Sequence, residues 1–260
     1  MFMLTQERHS LIRRRLEAAG RVVAGDLARE FDVSEDTIRR DLRELAAAGL
    51  CERVYGGALL REPARPFVER LGDKRPLKAR FAAEIVKQLP SGGLIFIDAG
   101  STNLAVAEAI GHGGDLTVMT NAPAIAAQLT LSGDVEVILT GGKVERSLGG
   151  AVDARALAAL EGVYPDLFVL GTCGVVAQEG LFASQAEEQL FKSTVARRSR
   201  HVITAADVTK FTGSAPYRIA PFSPEVTLLV EAEGNLPLEA IGAAGTEIIE
   251  VAGPSAGGPT

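Results

Sequence analysis

The chain has 260 residues, 47% of them hydrophobic and 23% charged, and a formal net charge of −6 at pH 7; this is length for one large domain or two ordinary ones around a real core. Two distant cysteines, Cys51 and Cys173, and three scattered histidines exclude a disulfide-dense module and a cysteine–histidine zinc site, so neither metal nor cofactor is expected. No apolar run approaches the roughly 18 residues of a bilayer span, and the N-terminus turns charged at Glu7 without a signal-peptide core, which reads as a soluble cytoplasmic protein with no membrane partner.

Charge is graded along the chain. Residues 1–60 hold ten arginines and ten acids, residues 61–90 eight bases and four acids, and residues 91–260 nine bases and nineteen acids. An acidic total speaks against nucleic acid, whose phosphates require local positive charge, but here it averages a neutral head, a basic connection and an acidic body.

In the head, residues 8–19 place Leu11, Ile12 and Leu16 at helical spacing, with Gly20 as the stop. A second short helix is expected over 24–31, with Leu27, Ala28 and Phe31 on one face. Ser34 then caps a third helix, whose stripe Ile38, Leu42 and Leu45 runs at i, i+4 and i+7 until Gly49. Residues 51–59 read as strand, glycine turn and strand, which completes the order of a winged helix-turn-helix. Opposite its core stripe the third helix carries Thr37, Arg39, Arg40 and Arg43, near the turn that would enter a major groove. Arginine there can grip guanine with two hydrogen bonds or clamp a phosphate, and the Ser34 and Thr37 hydroxyls suit phosphate. The same face also fits an exposed helix laced with ion pairs, with Asp36, Asp41 and Glu44 as intrahelical partners.

The run Ser34-Glu35-Asp36-Thr37-Ile38-Arg39-Arg40-Asp41-Leu42, followed by Leu45, Gly49 and Arg53-Val54-Tyr55-Gly56-Gly57-Ala58, resembles the DNA-binding signature of the DeoR family of bacterial transcription regulators. The resemblance implies double-stranded operator DNA as partner, contacted by Ser34, Thr37, Arg39, Arg40, Arg43 and the wing residues Tyr55, Gly56 and Gly57. Tyr55 replaces the family's usual wing His; its polar tip still reaches a phosphate and leaves base preference open.

From Arg61 to Arg80, Pro63, Pro66 and Pro76 disfavour continuous helix and predict an extended connection. Its positive charge either extends the DNA footprint or is simply solvated. Phe81, Ile85 and Leu89 then predict a helix over 77–89 that opens the body.

Short apolar runs at 94–97, 116–119, 135–139, 167–170, 201–204 and 227–230, several separated by alanine-rich helical stretches, predict a doubly wound α/β domain with strands buried on both faces. They lead into Asp98-Ala99-Gly100-Ser101-Thr102-Asn103, Thr120-Asn121-Ala122, Thr140-Gly141-Gly142-Lys143, Gly171-Thr172-Cys173-Gly174 and Asp207-Val208-Thr209-Lys210. Ligands of open α/β sheets bind outside the carboxyl ends of the strands. Glycine admits backbone amides, hydroxyls add donors and helix N-termini add positive potential, which together favour a phosphate or carboxylate. With Asp98 for sugar hydroxyls and Lys210 for an anion, the cradle suits a small phosphorylated polyol. One glycine turn alone is equally well a tight turn; five at one sheet edge are harder to explain that way. Asp98 also fits a helix-capping or structural role, Glu187, Glu188 and Lys192 fit helix-surface pairs as well as a ligand contact from Lys192, and Cys173 reads as a packing residue.

The DeoR resemblance continues through Lys78, the 98–102 loop, Thr120-Asn121, the 139–142 and 170–174 loops, Gly180-Leu181, Glu188 with Lys192 and residues 206–211. These stand in the order of the family's effector-sensing domain, which is similar to ribose-5-phosphate isomerase and glucosamine-6-phosphate deaminase. The resemblance implies a repressor of a sugar or carbohydrate operon relieved by a phosphorylated sugar. On this reading the effector meets Asp98, Gly100, Ser101, Thr102, Asn103, Thr120, Asn121, Gly141, Gly142, Gly171, Gly174, Lys192, Asp207 and Lys210, with Asn103 where the family more often has Thr. So small a head also predicts a homodimer or homotetramer on a repeated operator.

Two other readings share the pocket. A sugar-phosphate isomerase or deaminase with a regulatory head needs an acid–base pair, for which Asp98 and Glu188 are the candidates. A dinucleotide-binding redox regulator needs Gly-x-Gly-x-x-Gly after the first strand, where Gly100 stands alone. The expected layout is a winged head at 1–60, a linker at 61–76, an effector domain at 77–251 and a disordered tail at 252–260.

Overall fold

The computed structural model describes residues 4–48, 50–54, 56–60, 66–111, 115–132, 134–211, 215–232 and 236–252. Gly49, Tyr55 and the tail beyond residue 252, which figured in the sequence reading, lie outside the described residues. The chain divides into two compact units near residue 63.

The head runs α1 (Thr5–Ala19), β1 (Arg21–Val23), α2 (Ala24–Phe31), α3 (Glu35–Ala47), β2 (Cys51–Val54) and β3 (Gly57–Leu60). Ile12 and Leu16 from α1, Leu27 and Phe31 from α2, and Ile38, Leu42 and Leu45 from α3 are buried together in one core. Each helix ends where the backbone demands it: Gly20 and Asp32 adopt left-handed conformations after α1 and α2, and the Ser34 hydroxyl accepts from the Thr37 amide to start α3. The sheet order is β1-β3-β2. Strand β1 has no counterpart in the sequence reading, because three residues carry too little alternation to register. It pairs with β3 at Val23 and Gly57, and a side chain at Gly57 would strike the Val22 carbonyl.

The body continues with α4 (Phe67–Arg70), α5 (Arg75–Lys87), β4 (Gly92–Ile97), α6 (Ser101–Ala109), β5 (Asp115–Thr120), α7 (Pro123–Ser132) and β6 (Glu136–Leu139). Next come β7 (Val144–Glu145), β8 (Gly150–Ala151), α8 (Ala154–Ala158), β9 (Leu167–Leu170), β10 (Gly174–Val176), β11 (Gly180–Ala183) and α9 (Ala186–Arg198). The chain ends with β12 (His201–Ala206), a 3₁₀ turn (Val208–Phe211), β13 (Tyr217–Ala220), β14 (Val226–Glu231), α10 (Leu238–Gly242) and β15 (Glu247–Val251).

Seven strands form a parallel sheet in the order β15-β14-β12-β9-β4-β5-β6. Successive residues of a strand face opposite sides. Ile95, Ile97, Val169 and Leu229 accordingly enter one core, and Phe96, Phe168, Leu170 and Leu228 the other. The expected six strands are all present; β15 adds a seventh. On the second face Phe96 meets Phe168 and Phe191 edge-on at 5.6 and 5.9 Å between ring centroids, contacts worth about 0.5–1.5 kcal/mol each beyond their burial.

Within the stretch expected to run extended, residues 67–70 form α4 and residues 75–76 start α5, with a turn at 71–74 between them. Pro76 sits in the first turn of α5, where a missing amide costs nothing, and Phe67 is buried against Gly149.

Gly57→Ala should destabilise the head by about 2 kcal/mol through overpacking, read as faster hydrogen exchange at α1–α3 amides with body amides unchanged. Unchanged protection in the head would contradict the β1–β3 register.

Candidate functional site

On α3 the structure separates two kinds of charge. Arg39 bonds Glu35 at 2.7 Å and Asp36 at 3.2 Å, Arg40 lies 3.6 Å from Glu44, and Arg43 is exposed. The arginines project outward and are laced to neighbours, as an exposed ion-paired face would be. Exposed helix pairs are worth about 0.3–0.5 kcal/mol, little enough for a phosphate or a base edge to displace. The Ser34 hydroxyl is taken up by the cap and lies 2.9 Å from Thr37 Oγ1. Gly56 is exposed at φ +83°, and its carbonyl accepts from the Ala24 amide.

Asp41 is corrected. It is 3% exposed and turns inward, because position 41 flanks the Ile38–Leu42 stripe on the side facing α1. Arg8 donates to it from Nε at 2.5 Å and from Nη2 at 2.9 Å, and His9 Nε2 lies 3.0 Å away. The hydrogen bond to Asp41 raises the Arg8 pKa further above its already high ordinary value, against the opposing effect of burial. Arg8 and His9 are members of this arrangement that the periodicity of α1 does not disclose.

In the body, strand order reverses between β4 and β9, since the chain leaves β4 for β5 and β6 and then crosses to β9. Such a switch point opens a crevice at the carboxyl ends. Asp98 follows β4 and Gly171 follows β9: the Gly171 amide donates to Asp98 Oδ2 at 3.1 Å, and Lys192 Nζ lies 3.0 Å from the same oxygen. Lys192 also donates to Glu188 Oε1 at 2.6 Å and to the Gly171 carbonyl at 2.5 Å, while Ser184 donates to Glu188 Oε2 from its amide and hydroxyl.

Asp98, Glu188 and Lys192 are all buried, so the helix-surface reading of Glu188 and Lys192 is overturned. Glu188, Lys192 and Val195 lie at i, i+4 and i+7 beside buried Phe191, a stripe that marks the inward face of α9. Burial pushes the Asp98 carboxyl up despite Lys192, and its Oδ1 has no hydrogen-bond partner among the described residues. Burial opposes ionisation of Glu188 as well, but Lys192 and Ser184 prevail and hold it below the usual carboxylate range. Lys192 suffers the same desolvation, outweighed by the two carboxylates, so its ammonium is held above its ordinary pKa. Cys173 Sγ donates to Glu188 at 3.5 Å, and burial followed by the Glu188 charge pushes its thiol up, which suits packing rather than nucleophilic chemistry.

Other expected effector residues also prove to be braces. Asn103 donates to the carbonyls of Asp98 and Val169 at 2.8 and 3.1 Å. Asn121 accepts from the Ala99 amide and donates to the Ala151 carbonyl, and Thr120 donates to the Ile97 carbonyl at 2.6 Å. Gly174 is buried in β10, its carbonyl accepting from Thr172. Half-exposed or exposed positions remain at Gly100, Ser101, Thr102, Gly141, Gly142, Gly171, Asp207 and Lys210. The edge is thus a set of presented loops over a layer of buried polar groups that ties them together.

The basic connection supplies Lys74, which the sequence reading did not place here, beside Lys78, which the family resemblance did. Lys74 Nζ lies 3.0 Å from Asp207 Oδ2, and Lys78 Nζ donates to the Arg70 carbonyl at 2.5 Å. Burial lowers the Lys78 pKa, with Arg70 and Lys210 adding repulsion and Asp73 and Asp207 opposing it. Arg70, Lys74, Lys78 and Lys210 therefore share one electrostatic neighbourhood around Asp207. Burial works against ionisation of Asp207, but hydrogen bonds from Thr209 and Lys74 hold its pKa down.

A capped, arginine-bearing helix in a winged head, joined to a parallel α/β body with a polar switch-point edge, defines a nucleic-acid-binding module coupled to a sensing module. Residues 8–64 match the DeoR-like helix-turn-helix domain and residues 74–232 the DeoR C terminal sensor domain. The chain belongs to the DeoR family. It is 32% identical over 223 residues to the glycerol-3-phosphate regulon repressor of Escherichia coli K12, covering 85% of this chain and 88% of that one. It is 29% identical over 255 residues to a putative aga operon transcriptional repressor of Escherichia coli O157:H7, covering 95% and 94%. Among solved structures, ribose 5-phosphate isomerase A from Neisseria gonorrhoeae matches 53% of each chain at a TM-score of 0.39 and 19% identity. Among the described residues no helix is long and apolar enough to cross a membrane.

Lys192→Met should destabilise the body by about 3–5 kcal/mol in denaturant, because it strands buried carboxylates. Adding Glu188→Gln should recover much of the loss, since it removes one of the two carboxylates that the ammonium had faced; no recovery would show that the lysine acts by packing alone.

Proposed function

We propose that the chain is a cytoplasmic transcriptional repressor that binds operator DNA as a homodimer or homotetramer and releases it when a small phosphorylated sugar or polyol occupies the strand-end edge. The observation that carries this reading is the pairing, in one chain, of the outward arginines of α3 with an edge ringed by Arg70, Lys74, Lys78 and Lys210. Arg39, Arg40 and Arg43 read or clamp DNA with the wing behind them. The amides and hydroxyls of Gly100, Ser101 and Thr102, the Gly141–Gly142 turn, Gly171 and Lys210 receive the phosphoryl group and hydroxyls, while Asp98, Asn103, Thr120, Asn121, Gly174 and Lys192 hold those loops in place. The similar glycerol-3-phosphate regulon repressor supports a phosphorylated effector of this size. An isomerase or deaminase would need a free acid–base pair, whereas Asp98 and Glu188 are closed from solvent and bound to the same ammonium, which weighs against that role.

Arg40→Ala and Arg43→Ala should each weaken binding to a selected operator by about 1–3 kcal/mol where the side chain reads a base, or flatten the salt dependence where it clamps phosphate. Gel shifts across a salt series that show neither effect would remove α3 from the DNA interface. In thermal melting, glycerol 3-phosphate and hexose phosphates are expected to stabilise the protein and their unphosphorylated partners not to, by about 2.7 kcal/mol at a hundredfold excess over Kd. Stabilisation by the unphosphorylated compounds alone would refute the anion site.

A further inference from the structure

The stretch that connects the two matched segments, residues 65–73, is seated from Pro66 onward on the loops of the sensor edge. The Phe67 amide donates to the Arg146 carbonyl at 3.3 Å. Its ring lies so close over Gly149 that a side chain there would meet ring atoms at 2.5 Å. Arg70 donates to the Ser147 carbonyl at 2.7 Å, and Gln185, at the start of α9, donates to the Ser147 hydroxyl. The seat ends at Lys74, which holds a left-handed φ of 48° just before α5 and bonds Asp207 at the end of β12. Asp207 is held in turn by the Thr209 amide and hydroxyl at 2.8 and 2.5 Å.

We propose that Lys74 is a ligand-binding residue supplied by the connector, shared between the Asp207 carboxylate and a phosphoryl dianion, so that occupancy of the edge takes Lys74 from Asp207 and shifts the seat of α4. The inference rests on the effector reading above. The ion pair is open to solvent on the Lys74 side, whose side chain is 40% exposed against 18% for Asp207, so it lacks the full burial that makes breaking a pair most costly. A phosphoryl group carries nearly twice the charge of a carboxylate and meets a neighbourhood in which Arg70, Lys78 and Lys210 stand beside Asp73 and Asp207. Asp207 is then the ligand's competitor rather than its partner. Because the chain runs from α4 directly into the residues leading to the head, a ligand that prefers one seat of α4 biases the connector, the differential affinity that coupling requires.

The test uses the full chain with glycerol 3-phosphate and inorganic phosphate as probes. Lys74→Gln is expected to weaken the apparent affinity of either probe about tenfold in thermal shift, with Lys74→Arg close to wild type. Asp207→Asn, which keeps the oxygen that Thr209 needs, is expected to tighten affinity several-fold. In the ligand-free chain both Lys74→Gln and Asp207→Asn are expected to raise hydrogen exchange across 66–74 about fivefold. Opposite signs for the two halves of one ion pair distinguish competition from a structural contact, whose loss acts in the same direction from either side. Wild-type affinity in Lys74→Gln, or equal weakening by Lys74→Gln and Asp207→Asn, overturns the proposal while leaving the effector reading intact. A wild-type protein that responds to no phosphorylated probe overturns both.

Discussion

One ammonium shared by two buried carboxylates organises the sensor edge. Removing an ion from water costs several kcal/mol even after relaxation, so Lys192 inside the body is tolerable only because Glu188 and Asp98 surround it. A single positive charge cannot satisfy both, and the structure divides it unequally. Glu188 receives Lys192 and two bonds from Ser184, which hold its pKa down, while Asp98 Oδ1 has no partner among the described residues and burial pushes the Asp98 carboxyl up. Gly171 completes the arrangement with both halves of its peptide, its amide on Asp98 and its carbonyl on Lys192. A side chain there would come within 2.8 Å of the Ala99 carbonyl, so the close passage of β4 and β9 at the switch point requires glycine for space.

The head relies on the same contrast between buried and exposed charge. Arg8 and Asp41 form a buried pair with two charge-assisted hydrogen bonds, which ties α1 to the core side of α3. Breaking such a pair costs about 3–5 kcal/mol, an order of magnitude more than the exposed pairs of Arg39 and Arg40 contribute. The inward charges therefore set where α3 lies, and the outward ones remain available for exchange with another anion. Which aspartate belongs to which class is decided by its angle around the helix: Asp36 and Asp41 differ by five residues, well over one turn, and face opposite ways.

Periodicity made much of the fold legible in the sequence. The three helices of the head, the Ser34 cap and six of the seven parallel strands stand in it as apolar spacing and turn residues. It was silent on β1 and β15, whose short or mixed patterns gain their place only by pairing with distant partners. At the strand-end edge it ranked the loop residues by chemistry alone. Asn103, Thr120 and Asn121 carry the polar groups a sugar would want, yet each is spent on backbone left open where strands end. The burial of Glu188 stayed hidden for the opposite reason: a glutamate four residues before a lysine is the usual sign of a solvated helix face, and burial is a property of the packed helix rather than of the pair.

The basic stretch of 61–90 shows how a charge count changes meaning once the chain is folded. Read along the sequence, its surplus of bases stands apart from the acidic body as an appendage. In space Arg70 bonds the Ser147 carbonyl and Lys74 bonds Asp207 at the carboxyl end of the sheet, while Lys78 bonds back to the Arg70 carbonyl, so part of that surplus belongs to the strand-end edge of the body. The body's overall acidity repels polyanionic DNA, whose approach is governed by charge summed over many ångströms. A small phosphorylated molecule instead meets the field within a Debye length of roughly 8–10 Å, where these cations lie. Long-range acidity and a short-range cationic corner are therefore compatible, because the first sums charge over the whole body and the second depends on the few side chains that lie together there.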